Sequence, residues 1–522
     1  MTLMLTLGTA AFGAQKTLPS GKDTGSINVT NLKPGDTVTA YQFVKADYNE
    51  YGFTGYSAIN NYVKDPVAPT AQEVIDMASN AATMTVAAEK KVATGDTEVT
   101  LNGLPVGYYL VMVTSGSETV YSPMIAGIYY SKSATDNTLT NGAISADSDF
   151  EIKAQKCWAK SSTPKLEKTI VTPSSKNSKG DDIAIGDKIT FNLSATVPSY
   201  SKEYKKVTYK IYDIMSEGLD YVDGSMKCFI EKYENNRENI KVTPKVNGGI
   251  IEITFDSKFI LEHPGQKIQV EYQAKLNEKA GVNFDANINK AYLEYSNNPA
   301  SGSTAKTGED KVYVYTFGID SNLFGKSTEK WNEKTKELIK VEEGEYQWGE
   351  TEKESGIFTT TTALEGATFT LTNNKTKKSY TATSDKYGYL KFTGLDAGEY
   401  TLQETDAPDG FTLNDAKHTV VITAEYNQDG TLKSYTIKID DKATSTYTAT
   451  YDKGVIKTIT STKDSQGNIS ESAILKNSKM SFLPSTGGVG TTIFAIVGVV
   501  FVAAALGLHM ILRGKSKLEQ DR

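Results

Sequence analysis

Short runs in which apolar and polar residues alternate, each closed by Gly, Pro or Asn, limit the fold of this chain most tightly. The stretches "GSINVTNLKPGDTVTAYQFV", "DKITFNLSATVP", "KIQVEYQAKL", "GEYTLQET" and "HTVVITAEY" all have this form. A period of two puts alternate side chains on one face, as a half-buried antiparallel strand requires. No run of strands alternates with helices in the βαβ manner, which disfavours a parallel cofactor-binding sheet. Thirty Tyr residues, with abundant Thr and Val, favour strands further. The expected class is mainly β: tandem immunoglobulin-like sandwiches, with one helix, "EVIDMASNAATM", in a β-rich N-terminal domain.

Five segments follow from the order of these runs. Met1 to Gly13 is apolar and ends on small residues at Ala14, which fits a signal peptide over 1–14. It lacks a basic start, so the true N-terminus lies upstream or the signal is atypical. Residues 15–160 form the N-terminal domain, with a tight turn at Pro105 and Gly107. The joint "AKSSTPKLEKTIVTPSSKNSKG" opens a middle sandwich over 161–311, and a third sandwich spans 312–481. Within the third, "STEKWNEKTKELIKVEEGEYQWGETEKESG" is charged enough to read as a solvated surface excursion. Residues 482–522 close the chain. From Val489 to Leu512 the only polar residues are Thr491, Thr492 and His509, a stretch long enough to span a bilayer. Arg513, Lys515 and Lys517 follow and place the tail in the cytoplasm.

Composition removes several function classes. The chain has 56 Lys+Arg against 63 Asp+Glu and a net charge of −7, with no basic half, which argues against nucleic acid as a partner. Three His and two Cys offer little from which to build a metal centre or a Cys/His nucleophile, so no metal and no cofactor are expected. There is no dinucleotide fingerprint, P-loop or G-x-S-x-G elbow. Cys157 and Cys228 could pair, but a chain of this size does not depend on a disulfide framework.

Directly before the apolar span stand Leu483, Pro484, Ser485, Thr486 and Gly487. The pentapeptide, the span and the basic tail together resemble the cell-wall sorting signal of Gram-positive surface proteins. The resemblance implies that a sortase cysteine attacks the Thr486 carbonyl and an amine resolves the acyl-enzyme. Pro484 kinks the peptide for presentation. The span is then a temporary tether, and the mature protein sits on the cell wall outside.

The amine decides between a wall-anchored monomer and a polymer. "WAK", ending at Lys160, resembles the "YPK"-type motif of major pilins, with Trp158 for Tyr and Ala159 for Pro. Without the Pro, Lys153, Lys156 and Lys165 stay open as alternatives. "YTLQETDAPDGFTL" resembles the pilin E-box, Phe411 being the one departure, and alternation turns Glu404 inward with Tyr400 and Leu402. In collagen-adhesin B-type modules such a Glu assists a spontaneous Lys–Asn isopeptide bond. Burial raises the acid's pKa and lowers the lysine's, so a neutral amine can attack the carboxamide. The resemblance assigns Lys326 and Asn477 as partners in the third domain. In the second it assigns Lys168 and Asn289, assisted by Asp213, with Asn297 as reserve acceptor. The first domain carries no matching set.

The chain thus resembles a sortase-assembled major pilin and is expected to act as a structural shaft subunit, not an enzyme. Its implied partners are a sortase, copies of itself, minor tip and basal pilins, peptidoglycan and a host receptor. The membrane enters only as transient precursor anchor. The alternative is a monomeric wall-anchored adhesin. A secreted hydrolase would need paired carboxylates in a cleft.

Overall fold

In the computed structural model the described residues are 18–461, apart from 116–117, 132–142, 146–149, 172–176, 233–235, 322–328, 333–336, 341–346, 353–356, 363–364, 385–389, 409–410, 412 and 441–442. The signal peptide, Lys326, Asn477 and the whole sorting signal lie outside them. Strands dominate, and nearly all pair antiparallel. Thr24–Thr30 with Cys157–Trp158 and Gly180–Asp182 with Asp310–Tyr315 pair parallel.

The N-terminal unit sets a six-stranded sheet against a three-stranded one. Thr37–Asn49 and Gly107–Thr114 lie at the centre of the larger sheet, and Thr24–Thr30 is the middle strand of the smaller. Ile27, Val29, Val38, Ala40, Tyr109 and Val111 fill the space between them. Pro105 and Gly107 do not close a hairpin, because the strands on either side of them belong to different sheets. The turn carries the chain across the core, and Gly107 (φ +153°) passes so close to the Val44 carbonyl that a Cβ would have no room. The expected helix runs over Ala71–Ser79. Thr70 caps it, and Glu73 returns the bond in a capping box. Its Met77 and Ala78 pack with Phe43, Val44 and Leu110.

The middle unit is a sandwich. One sheet orders Leu166–Ile170, Lys188–Thr196, Lys267–Leu276, Lys227–Glu231 and Arg237–Ile240. The other runs from Gly180–Asp182 through Asp310–Tyr315, Asn287–Asn298, Tyr209–Met215 and Ile250–Thr254 to Lys245–Asn247. Inward residues of the two sheets meet in the core: Ile189, Phe191 and Leu193 on one side face Ile211, Ile253 and Leu293 on the other. The sequence run from Tyr209 to Tyr221 is two strands. The chain leaves the second sheet at Met215 and rejoins the first at Leu219. At Gly218 the Asn287 side chain occupies the place of a Cβ.

The C-terminal unit is built on a seven-stranded antiparallel sheet with Gly398–Asp406 and Lys417–Tyr426 near its centre. Phe317–Ser321 pairs with Leu390–Leu395 in a second, smaller sheet, and Phe317, Leu371, Tyr400 and Leu432 are buried in the core. The charged stretch within this unit is not a plain loop. Glu329–Asn332, Glu337–Lys340, Gln347–Glu352 and Ile357–Thr362 pair into a four-stranded antiparallel sheet.

The middle and C-terminal units meet along a polar seam. Asp182 accepts from Tyr426 Oη and Ala397 N, and Lys378 Nζ donates to Ile185 O and Asp187 Oδ1. Gly180 and Gly430 (φ +89°) come together backbone to backbone, leaving no room for a side chain.

Candidate functional site

Lys168 lies on the edge strand Leu166–Ile170, whose burial alternates so that Leu166, Lys168 and Ile170 all point into the core. Its main chain is held on both sides. The Lys168 N–H donates to Asp310 Oδ2 (2.7 Å), and Lys179 Nζ donates to the Lys168 carbonyl (2.7 Å) and to Asp310 Oδ2 (2.6 Å). The side chain is fully buried, and Lys168 is the one lysine in the buried set of the described residues. A buried ammonium without a partner would cost several kcal/mol.

Its partners come from both sheets. Asp213, on Tyr209–Met215 of the facing sheet, is also 0% exposed, and its Oδ2 accepts from Lys168 Nζ. Tyr272, on Lys267–Leu276 in the sheet of Lys168, donates from its hydroxyl to Asp213 Oδ1 (2.7 Å). The same hydroxyl accepts from Lys168 Nζ at 3.1 Å and from Asn289 Nδ2 at 2.7 Å. Asn289 is opposite Met215 on the neighbouring strand and is itself 0% exposed. The Lys168 ammonium also lies 5.0 Å from the centre of the Phe191 ring.

These groups form a closed polar cluster in an apolar sandwich. Burial pulls the Lys168 pKa below the ordinary lysine range, against the opposing pull of Asp213. Burial, with Asp213 adding to it, lifts the Tyr272 phenol well above its ordinary value. Among the described residues the Asn289 carboxamide is bonded only through Nδ2, and its buried Oδ1 has no hydrogen-bond partner. An amine that tends to neutrality, a carboxylate able to take its proton and a carboxamide fixed nearby are the ingredients of amide exchange.

The resemblance named Lys168, Asp213 and Asn289 as one set, and the structure brings all three together through Tyr272. Sequence reasoning did not single out Tyr272, although "KIQVEYQAKL" alternates cleanly and turns a tyrosine inward between Val270 and Ala274. Asn297 is elsewhere: its Oδ1 accepts from Ser303 Oγ at the exposed end of the strand.

Glu404 is 2% exposed and shares its inward face with Tyr400 and Leu402, its Oε2 accepting from Asn414 N at 2.7 Å. Lys160 is exposed where the chain passes from the first unit to the second. Its carbonyl accepts from Ser122 N (3.0 Å), Ala159 before it is fully buried, and Trp158 is 67% exposed. Lys156 and Lys165 are also exposed, and Lys153 is half-buried. Cys157 and Cys228 are free thiols in separate cores. Burial pushes them up to about 11 and about 12.

Three family models match in series. A T6 antigen Ig-like domain covers residues 22–161, a prealbumin-like fold domain covers 357–438, and an LPXTG cell wall anchor motif covers 476–517. The trypsin-resistant surface T6 protein of Streptococcus pyogenes serotype M6 is 26% identical, the alignment covering 95% of this chain and 96% of that protein. The solved T6 backbone pilin of serotype M6 S. pyogenes shares the fold at TM-score 0.59 and 20% identity, over 89% of this chain and 100% of that one. The major pilin SpaD of Corynebacterium diphtheriae aligns over 76% of this chain and 90% of its own, at 17% identity and TM-score 0.45. The chain thus carries an LPXTG cell wall anchor motif, is similar over nearly its whole length to the T6 surface protein, and shares the fold of the T6 backbone pilin.

Proposed function

We propose that this chain is the shaft subunit of a covalently polymerised pilus, a structural protein and the substrate of a sortase. The sortase cleaves after Thr486, and Lys160 of the next copy takes the acyl group, so that each junction is an amide. Minor pilins at tip and base and a peptidoglycan amine at the end complete the assembly. Residues 15–160, 161–315 and 316–481 act as three modules in series; the boundary expected at 311 moves because the strand Asp310–Tyr315 pairs within the middle sandwich. Within the second, Lys168 and Asn289 join with loss of ammonia, assisted by Asp213. Within the third, Lys326 and Asn477 join, assisted by Glu404.

The observation that carries this reading is the fully buried Lys168, Asp213 and Asn289 in one cluster. A lysine sunk in a sandwich core contributes little to stability as an ion pair, but it makes sense as a reactant. Lys168 belongs to one sheet and Asn289 to the other, so a bond between them staples the sandwich across its core. Pulling force then runs through covalent bonds.

The test is electrophoresis of wall extracts boiled in SDS. Wild-type cells should give a ladder of high-mass species, and Lys160→Ala should leave the monomer. A single wild-type band would instead indicate the monomeric adhesin. A ladder that persists in Lys160→Ala would move the linkage to Lys153, Lys156 or Lys165.

A further inference from the structure

We propose that Tyr272 is a catalytic residue of the Lys168–Asn289 joining reaction, its hydroxyl carrying the proton that lets ammonia leave. The inference rests on the reading that Lys168 and Asn289 become joined, and it assigns a step which Lys168, Asp213 and Asn289 leave unaccounted for.

Closing the amide needs two proton movements. Lys168 must first lose a proton to become a nucleophile, and Asp213 Oδ2, hydrogen-bonded to Nζ, is placed to receive it. Nζ then attacks Asn289 Cγ, giving a tetrahedral centre that carries an Nζ with one proton too many and an Nδ2 with one too few. An amide ion is too poor a leaving group to depart unprotonated. The second proton must therefore travel from Nζ to Nδ2.

Only one group among the described residues touches both nitrogens. The Tyr272 hydroxyl lies 3.1 Å from Lys168 Nζ and 2.7 Å from Asn289 Nδ2. As the phenolic proton, held in the resting state by Asp213 Oδ1, swings to Nδ2, the oxygen takes a proton from Nζ. The Cγ–Nδ2 bond then breaks. Five protons shared by an ammonium, a carboxylate and a carboxamide end as one on the new amide, one on Asp213 and three on ammonia. Tyr272 ends unchanged, and charge is conserved.

The surroundings suit a relay. Tyr272 is 1% exposed, so bulk water does not compete for the transfer. Burial beside Asp213 keeps the phenol protonated, and it therefore has a proton to give. The ring packs against Phe191, with centroids 5.5 Å apart, and against Tyr221 at 5.9 Å, which limits its motion. The hydroxyl is also the only hydrogen-bond partner of the Asn289 carboxamide among the described residues.

The experiment follows bond formation in the full-length chain, made in a sortase-free host, pulse-labelled and quenched in denaturant at intervals. Peptide mapping then gives the ratio of the branched Lys168–Asn289 peptide to its linear counterparts. Tyr272→Phe keeps the ring and removes the relay, and it should slow joining at least tenfold in a chain that remains protease-resistant. Joining at the wild-type rate in folded Tyr272→Phe would overturn the proposal and leave the bond itself intact. Absence of the branched peptide from wild type would sink the underlying reading instead. If Tyr272→Phe does not fold, a fluorinated tyrosine placed at position 272 decides. A more acidic phenol of nearly the same size should change the joining rate, and an unchanged rate counts against the relay.

Discussion

Replacing Asn289 with Ala separates a covalent staple from an ordinary polar cluster, because the two readings predict shifts of different size. If the core is held by hydrogen bonds alone, the substitution removes one bond to Tyr272 and a carboxamide oxygen that already lacks a partner. That costs about 1 kcal/mol. If Lys168 and Asn289 are joined, the substitution also opens a loop of about 120 residues, which the chain-entropy model values at about 5 kcal/mol. For a unit of about 150 residues the unfolding entropy is about 0.3 kcal/mol per kelvin. The midpoint should then fall by about 15–20 °C in the covalent case and by about 3 °C otherwise.

A multi-domain chain unfolds in several steps, so the assay must report on one unit at a time. The two free thiols supply this, since Cys228 lies in the middle core and Cys157 in the N-terminal core. Labelling with a thiol reagent along a temperature ramp, with each cysteine read by mass, gives the midpoint of each unit. Cys228 should become reactive at a much lower temperature in Asn289→Ala while Cys157 keeps its wild-type curve. A Cys228 shift below about 5 °C would refute the argument that a covalent loop stabilises this sandwich.

Other consequences follow from the third module and the seam. Glu404→Ala should abolish joining in the C-terminal module and leave the middle-module bond in place, as peptide mapping would reveal. Gly430→Ala forces a left-handed residue and drives a methyl into the Lys179 backbone. It should cost about 2–4 kcal/mol and loosen the two units, detectable as new protease sites at the seam. Burial lifts the Asp182 carboxyl to about 6, with Asp181 and Asp396 adding to it. Because the folded-state pKa is raised, the stabilisation is complete below about pH 4 and is lost as pH rises through about 6. The seam should therefore be firmer at pH 5 than at pH 7.5, by about 1–2 kcal/mol, and Asp182→Asn should flatten that dependence in thermal scans.

Period-two patterning made the strands legible, and with them the shared faces of Lys168, Asn289 and Glu404, because a strand allows each side chain only two directions, while Asp213 came from the family resemblance alone. Which strands face each other depends on crossings such as Met215 to Leu219, where nothing in the local pattern marks the change of sheet. Tyr272 escaped notice for a related reason. In a chain with 30 tyrosines, an inward one looks like core packing until a partner strand brings Asn289 to its hydroxyl. The charged stretch from Ser327 hid three strands, which pair into a sheet with the following Ile357–Thr362, since Glu and Lys are poor strand formers. The meeting of Gly180 with Gly430 was beyond sequence reasoning altogether, being a contact between units.

The most direct measurement is the intact mass of the exported region, residues 15–481, under denaturing conditions. Two joined pairs remove two molecules of ammonia, each about 17 Da, and the branched peptides should carry Lys168 with Asn289 and Lys326 with Asn477. A mass equal to the sum of the unmodified residues, with every lysine mapped as free amine, would contradict the account at its centre.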